Sequence, residues 1–153
     1  MPSMRIFVAT VYGGALDVAE LSQPQCEEAG FQVEILEEPE LGHLLDTPPD
    51  IALFCISTTG SGDFPGNFMR FADHLAEQQP DLTGQRYGLI AMGDSSYDTF
   101  CGAGRKLDGI LQQCGAQRVG KRLEVDASRT PMADDEALPW IESWLPAARE
   151  SLQ

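Results

Sequence analysis

The sequence predicts an α/β fold, a doubly wound five-stranded parallel sheet in three layers, and three observations predict it. Apolar runs of strand length alternate with amphipathic stretches of helical length. Two of those runs, residues 51–57 and 86–92, are apolar almost without interruption, as expected where both faces of a parallel sheet are covered. The loops that follow three of the strands are rich in Gly, Ser, Thr and Asp, and ligands of such sheets sit outside the carboxyl ends of the strands.

Residues 4–9, MRIFVA, read as a buried strand that stops at Thr10 and the Gly13-Gly14 pair. The helix expected next carries only a rough stripe of Leu16, Ala19, Leu21, Cys26 and Ala29, closed by Gly30. Pro24 inside it removes a backbone donor, so a kink or break is expected there. Residues 31–36 read as the second strand, and the Pro-containing stretch 39–49 as an irregular connection to the third, residues 51–57. A helix over 67–79 follows from Phe68, Phe71, Ala72 and Leu75 at helical spacing. After the fourth strand, residues 86–92, another helix over 99–114 carries Leu107, Ile110 and Leu111 and ends at Gly115. Residues 119–125 read as the fifth strand. The last helix, 134–152, has Leu138, Ile141, Trp144 and Leu145 on one side, so Trp140 and Trp144 are read as packing residues rather than cofactor contacts.

A chain of 153 residues with 42% hydrophobic content can bury one core without disulfide or metal staples, and a single domain over 1–153 is expected. The 24 acidic residues against 10 Lys and Arg give a formal net charge of −14, which repels nucleic acid and anionic membranes and attracts basic proteins. Cys26, Cys55, Cys101 and Cys114 are widely spaced and form no C-x-x-C pair, so reduced thiols and no metal site are expected. His43 and His74 have no ligand or nucleophile partner nearby in sequence, which argues against His-based acid–base chemistry. The amino-terminal apolar run is too short to cross a bilayer and lacks the features of a secretory signal, so a cytoplasmic location is expected.

The chemistry is expected in three loops. Loop 1, TVYGGA at 10–15, leads into a helix amino terminus, whose unpaired N–H groups and positive dipole end bind phosphate without Lys or Arg. It contains neither G-x-G-x-x-G nor G-x-x-x-x-G-K-S/T, which excludes a dinucleotide fingerprint and an NTPase P-loop. Loop 2, STTGSGDFP at 57–65, has hydroxyls at its start and two glycines that let backbone approach a flat ligand. Loop 3, beginning GDSSYDTFCG at 93–102, presents Tyr97 among small polar residues, where a ring stacks on a planar cofactor. Turns favour Gly, Ser and Asp in any case. What carries the reading is the joint placement of these loops at one end of one sheet.

GDSSYDTFCGAG at 93–104, STTGSGDFP and TVYGGA together resemble the three FMN loops of short-chain flavodoxins, with order and spacing matched over essentially the whole chain. Within that family the resemblance is to the bacterial MioC and YqcA group, the YqcA type being favoured. It implies the flavodoxin-like strand order 2-1-3-4-5 and FMN as the cofactor. Thr10 and the backbone of Val11, Tyr12, Gly13, Gly14 and Ala15, helped by Ser57, would hold the phosphate. Thr58, Thr59, Gly60, Ser61 and Gly62 would line the isoalloxazine edge, with the Gly60–Ser61 peptide able to turn its carbonyl toward flavin N5. Tyr97 would stack on the ring, and backbone from Gly93, Asp94, Phe100 and Cys101 would meet the pyrimidine end. Two departures stand out: Tyr12 and Ala15 replace hydroxyls common in the family, and Thr59 replaces a common Trp.

The function this implies is that of an electron carrier with no catalytic side chain, cycling single electrons. With no Lys or Arg near the site and a strongly negative chain, the second electron is disfavoured. The chain reaches Gln153 without a second nucleotide-binding domain, so electrons are expected from a separate NADPH-dependent flavodoxin or ferredoxin reductase and pass to an acceptor enzyme. Asp63, Asp94, Asp98 and Asp126 are candidate docking residues on a monomer. An FMN-dependent quinone reductase would need a substrate pocket and usually a dimer, for which no inserted segment is seen. A response-regulator receiver would need acidic residues after the first strand, where Thr10 stands, and an Asp at the end of the third, where Ser57-Thr58 stand. A weakly FMN-binding interaction module is the remaining alternative.

Overall fold

The protein is described by a computed structural model that covers residues 1–59 and 61–153. β1 (Ser3–Ala9), β2 (Gln32–Leu36), β3 (Ile51–Ser57), β4 (Arg86–Gly93), β5 (Gln117–Arg118) and β6 (Leu123–Asp126) alternate with α1 (Gly14–Glu28), α2 (Gly42–Leu45), α3 (Gly66–Gln78), α4 (Gly102–Gln113) and α5 (Asp134–Ser151). Every strand pair is parallel, in the order β2-β1-β3-β4-β5, with β6 also on β4. This is the predicted order, with the fifth strand delivered in two pieces.

The continuous apolar runs follow from burial on two sides. Successive strand side chains point to opposite faces. In β1, Phe7 and Ala9 join one buried cluster with α3 and α4, while Met4, Ile6 and Val8 join another with α1 and α5. Residues 51–56 of β3 are buried throughout, each large side chain contributing about 1.5–3 kcal/mol. On the α3–α4 face, Phe7 stacks on Phe54 at 4.8 Å between ring centroids and Phe68 meets Phe71 at 4.8 Å. On the α5 face Trp144 packs against Gly88, where a Cβ would come within 2.4 Å of the ring, and donates from Nε1 to the Val119 carbonyl at 2.9 Å. The tryptophans are packing residues, Trp140 stacking on Trp144 at 5.5 Å.

Four local expectations need correction. Helix α1 runs unbroken through Pro24. Pro24 and Glu20, whose carbonyl it leaves without a helical donor, both lie on the exposed side, where water supplies the bond. Pro139 and Pro146 in α5 follow the same rule, with Asp135 and Glu142 exposed four positions earlier. The connection over 39–49 contains the short α2, with His43 Nδ1 accepting from the Glu40 amide at 2.9 Å. The helix expected from 99 begins at Gly102, because Cys101 takes a left-handed φ of 53° ahead of it.

The fourth correction is the fifth strand. Residues 119–122 leave the ladder at Gly120, whose φ of 75° suits glycine. Arg118 at the end of β5 and Arg122 just before β6 converge on a single buried carboxylate, Asp108 of α4, whose side chain is 3% exposed. Arg122 Nη1 donates to Asp108 Oδ2 at 2.5 Å, Arg118 shares that oxygen, and the Tyr87 hydroxyl and Gln112 amide donate to Oδ1. Burial first, and then the bond to Asp108, pushes the Tyr87 phenol well above its ordinary pKa. Glu124 extends this seam outward, bound to Arg105 at 2.7 and 2.9 Å and to Arg122 at 3.2 Å.

Candidate functional site

Loops 1, 2 and 3 all leave the carboxyl ends of their strands at one rim, and the hydrogen bonds inside each loop determine what it can offer a ligand. In loop 1 the Thr10 amide donates to Asn67 Oδ1 at 2.9 Å and the Gly13 amide to Thr10 Oγ1 at 2.9 Å. Gly13 caps α1 with a φ of 90°, and Asp17 is the first residue whose amide returns to a helical carbonyl, Gly13 O at 2.8 Å. The first-turn amides of Gly14, Ala15 and Leu16 precede that bond and point out of the helix end. Val11 and Tyr12 are exposed, whereas the Ala15 side chain is fully buried against the sheet.

Loop 2 closes on itself. The Thr59 amide and hydroxyl both donate to Asp63 O, at 3.0 and 3.1 Å, and the Gly62 amide donates to Thr59 O at 2.9 Å. Thr58 Oγ1 accepts the Ala103 amide of α4 at 3.3 Å, tying loop 2 to loop 3. Gly60 lies outside the described residues.

Loop 3 is held by its own carboxylate: Asp94 Oδ1 accepts the Ser96 amide at 2.9 Å and hydroxyl at 2.5 Å. Its two ends meet tightly, since a Cβ on Gly93 would come within 2.7 Å of the Cys101 amide nitrogen. Tyr97 stands out from it, 57% exposed. Burial pushes the Cys101 thiol up to about 12, so it is a packing group and not a nucleophile at neutral pH.

A fourth segment, residues 126–133 after β6, completes the rim. Asp126 Oδ1 accepts the Ser95 amide at 3.0 Å, the Ser128 amide at 3.0 Å and the Ser128 hydroxyl at 2.7 Å. Those bonds, from Ser95 first, hold its carboxyl below the ordinary range.

Between these segments is a cavity of about 710 Å³, within the range of small-molecule sites. Of the residues expected from sequence, Val11, Tyr12, Gly14, Ser57, Thr58, Thr59, Gly93, Asp94, Tyr97 and Cys101 line it. Thr10, Gly13, Ala15, Ser61, Gly62 and Phe100 stand behind or beside the lining. The sequence reading missed Met92 and Val125, which form an apolar floor, and Thr99, Ala127, Thr130, Pro131 and Ala133. The signal was available: whatever follows the last strand must emerge at the same rim.

The expectation of a site without nearby cations does not hold. Lys106 Nζ donates to Gly62 O at 2.9 Å and lies 3.8 Å from Asp63, and the Arg105 guanidinium sits 5.5 Å over the Phe100 ring. Both come from the second turn of α4, which the alternation of elements brings against loops 2 and 3. Among the described residues no group of His, Cys, Asp or Glu is arranged to hold a metal ion. A depression of about 850 Å³ at the opposite, amino ends of the strands is larger, but it is lined by Pro2, Pro48, Pro49 and Arg86 and by the carboxyl-terminal residues rather than by strand-to-helix turns.

Known proteins match the chain over this whole architecture. The family model described as Flavodoxin matches residues 6–140. "Flavodoxin YqcA" of Escherichia coli (strain K12) is 40% identical over 147 residues, covering 94% of this chain and 97% of that protein. The solved "C101A mutant of Flavodoxin from Pseudomonas aeruginosa" superposes with a TM-score of 0.88 at 32% identity, over 96% of this chain and 99% of that one. The "Sulfite reductase [NADPH] flavoprotein alpha-component" of Bacillus subtilis is 31% identical over 91% of this chain, which spans 22% of that protein.

Proposed function

The chain belongs to the flavodoxin family, whose members bind FMN and carry electrons rather than act as enzymes, and from that premise we propose that it passes single electrons from a separate NADPH-dependent reductase to an acceptor enzyme. The observation that carries the reading is the donor set of the rim. It consists of outward first-turn amides of α1, hydroxyls of Ser57 and Thr58, and a half-exposed Tyr97, around an apolar floor.

Those residues fit the cofactor. A phosphate at loop 1 would be met by amides and by the positive end of the helix dipole, with no side-chain cation required. Ser57 stands at the end of β3 beside it. Met92 and Val125 would lie under the ring and Tyr97 against it, with Thr58, Thr59, Ser61 and Gly62 along its edge and Gly93, Asp94, Phe100 and Cys101 toward its polar end. FMN supplies the redox chemistry when bound, and the chain's part is to hold the ring, exclude water and set the field around it. Lys106 offsets some of the negative field that the acidic chain imposes.

The sulfite reductase relative, named for NADPH, supports a reductase as the electron source. Docking rests on the acidic surface near the rim, foremost Asp63 and Asp98, which are exposed; Asp94 and Asp126 are already engaged in holding their loops. The protein works in this reading as a cytoplasmic monomer of one domain; among the described residues no helix is long and apolar enough to cross a membrane.

The test is an absorption spectrum of the purified protein, stepwise reduction, and turnover with an NADPH-dependent flavodoxin reductase at increasing salt. Flavin bands, two separate one-electron steps and a rate that falls with salt are expected. A single two-electron step, steady NADH–quinone turnover without a partner, or a colourless protein that takes up no FMN would refute the reading.

A further inference from the structure

Loop 1 is not free-standing. Asn67, the second residue of α3 and the first polar side chain after loop 2, accepts the Thr10 amide on Oδ1 at 2.9 Å. Its Nδ2 donates to two carbonyls, Val8 O of β1 at 2.7 Å and Glu37 O at 2.7 Å. The β1–β2 pairing ends at Phe7 and Leu36, so the Asn67 amide joins the two chains one residue beyond the last register pair. Thr10, fixed in this way, uses its Oγ1 to accept the Gly13 amide.

We propose that Asn67 is a positioning residue that determines which amides of loop 1 meet the flavin phosphate, and thereby the preference for phosphorylated over unphosphorylated flavin. The inference rests on the reading of loop 1 as the phosphate site. It deepens that reading, because the Gly13 amide, first assigned to the phosphate, and the Thr10 amide beside it are both consumed inside the protein. The phosphate is left with Val11, Tyr12 and the first turn of α1. Only a carboxamide serves at position 67: one end must accept from an N–H while the other donates to carbonyls, and Asp lacks the donors while Leu and Ala lack both. Without it the Thr10 amide and two carbonyls compete for water, and loop 1 loses the anchor that turns Thr10 toward Gly13.

The experiment titrates the apoprotein with FMN and with riboflavin, which differ by the phosphate alone, in the wild type and in Asn67→Ala. Asn67→Ala is expected to lower the FMN-over-riboflavin preference by about tenfold, equivalent to about 1.4 kcal/mol, with riboflavin affinity changed less than about threefold. An unchanged preference, or equal losses for both ligands, overturns the proposal and leaves the phosphate reading standing. A wild type that does not distinguish FMN from riboflavin overturns both. A second measurement does not depend on the variant folding. In the FMN-loaded wild type, amide couplings to phosphorus are expected among Val11, Tyr12, Gly14, Ala15 and Leu16, and a coupling at Thr10 or Gly13 overturns the proposal.

Discussion

The rim at the carboxyl ends of the strands and the seam beside the split fifth strand handle charge by opposite means. The rim offers backbone amides and small hydroxyls, whereas the seam buries the Asp108 carboxylate beneath two guanidiniums, a phenol and an amide. The difference follows from permanence. A charge that is part of the chain can be matched once, by fixed counter-ions whose desolvation is offset by charge-assisted hydrogen bonds. A charge that arrives with a ligand is better met by helix-end dipoles, which remain partly solvated in its absence and leave no unpaired buried ion.

The largest effect expected from this contrast lies in the seam. Asp108→Ala takes from Arg118, Arg122 and the Tyr87 hydroxyl the carboxylate they share, and chemical denaturation should show a loss of about 3–5 kcal/mol. Riboflavin and FMN should keep their relative affinities in that variant, since the seam reaches the rim through Arg105 over Phe100 of loop 3 and not through the phosphate amides of loop 1; a changed ratio would break the comparison. Next is Gly93→Ala, which sets a Cβ within 2.7 Å of backbone rather than of a flexible side chain. It should cost about 1–3 kcal/mol of stability and weaken FMN and riboflavin together, because it spreads loop 3 rather than loop 1.

The smallest effects appear at the extremes of pH, and they differ in sign between the regions. Tyr87 keeps its proton in the folded chain above the ordinary phenol range. Its contribution is therefore complete below pH of about 10 and is lost as pH rises through the folded value. Asp126 is held ionised below the ordinary carboxylate range, so its contribution is present at neutral pH and lost only as pH falls through that lowered value. Tyr87→Phe should flatten the alkaline limb of a melting-temperature profile and leave the acid limb alone, and Asp126→Asn the reverse.

The strands over 51–57 and 86–92 were legible because burial on two faces leaves no polar position to mislead, and the rim was legible because topology places every strand-end turn together. The fifth strand was not. Val119 and Val125 suggested one continuous ladder, but the break depends on Gly120 and on two arginines meeting a carboxylate distant in sequence. Lys106 was missed for a related reason. It sits inside a helix, and only packing shows that its ammonium reaches the Gly62 carbonyl. Asn67 carried no signal beyond being a polar residue at the start of a helix, where such residues are common; its three partners lie on β1, loop 1 and the turn after β2. Pro24 misled because periodicity gives the place of a proline but not whether the carbonyl it frees faces water.

The interrupted strand also governs how the molecule behaves among its own copies. A sheet margin presents unpaired backbone groups that another chain can extend, and long flat margins seed fibrils. Here that margin is cut into lengths of two and four residues, turned aside at Gly120 and studded with arginines. An incoming strand finds no long run on this side to zip onto, so the same discontinuity that cost ladder bonds guards this margin and leaves β2, five residues at the opposite edge, as the longer one.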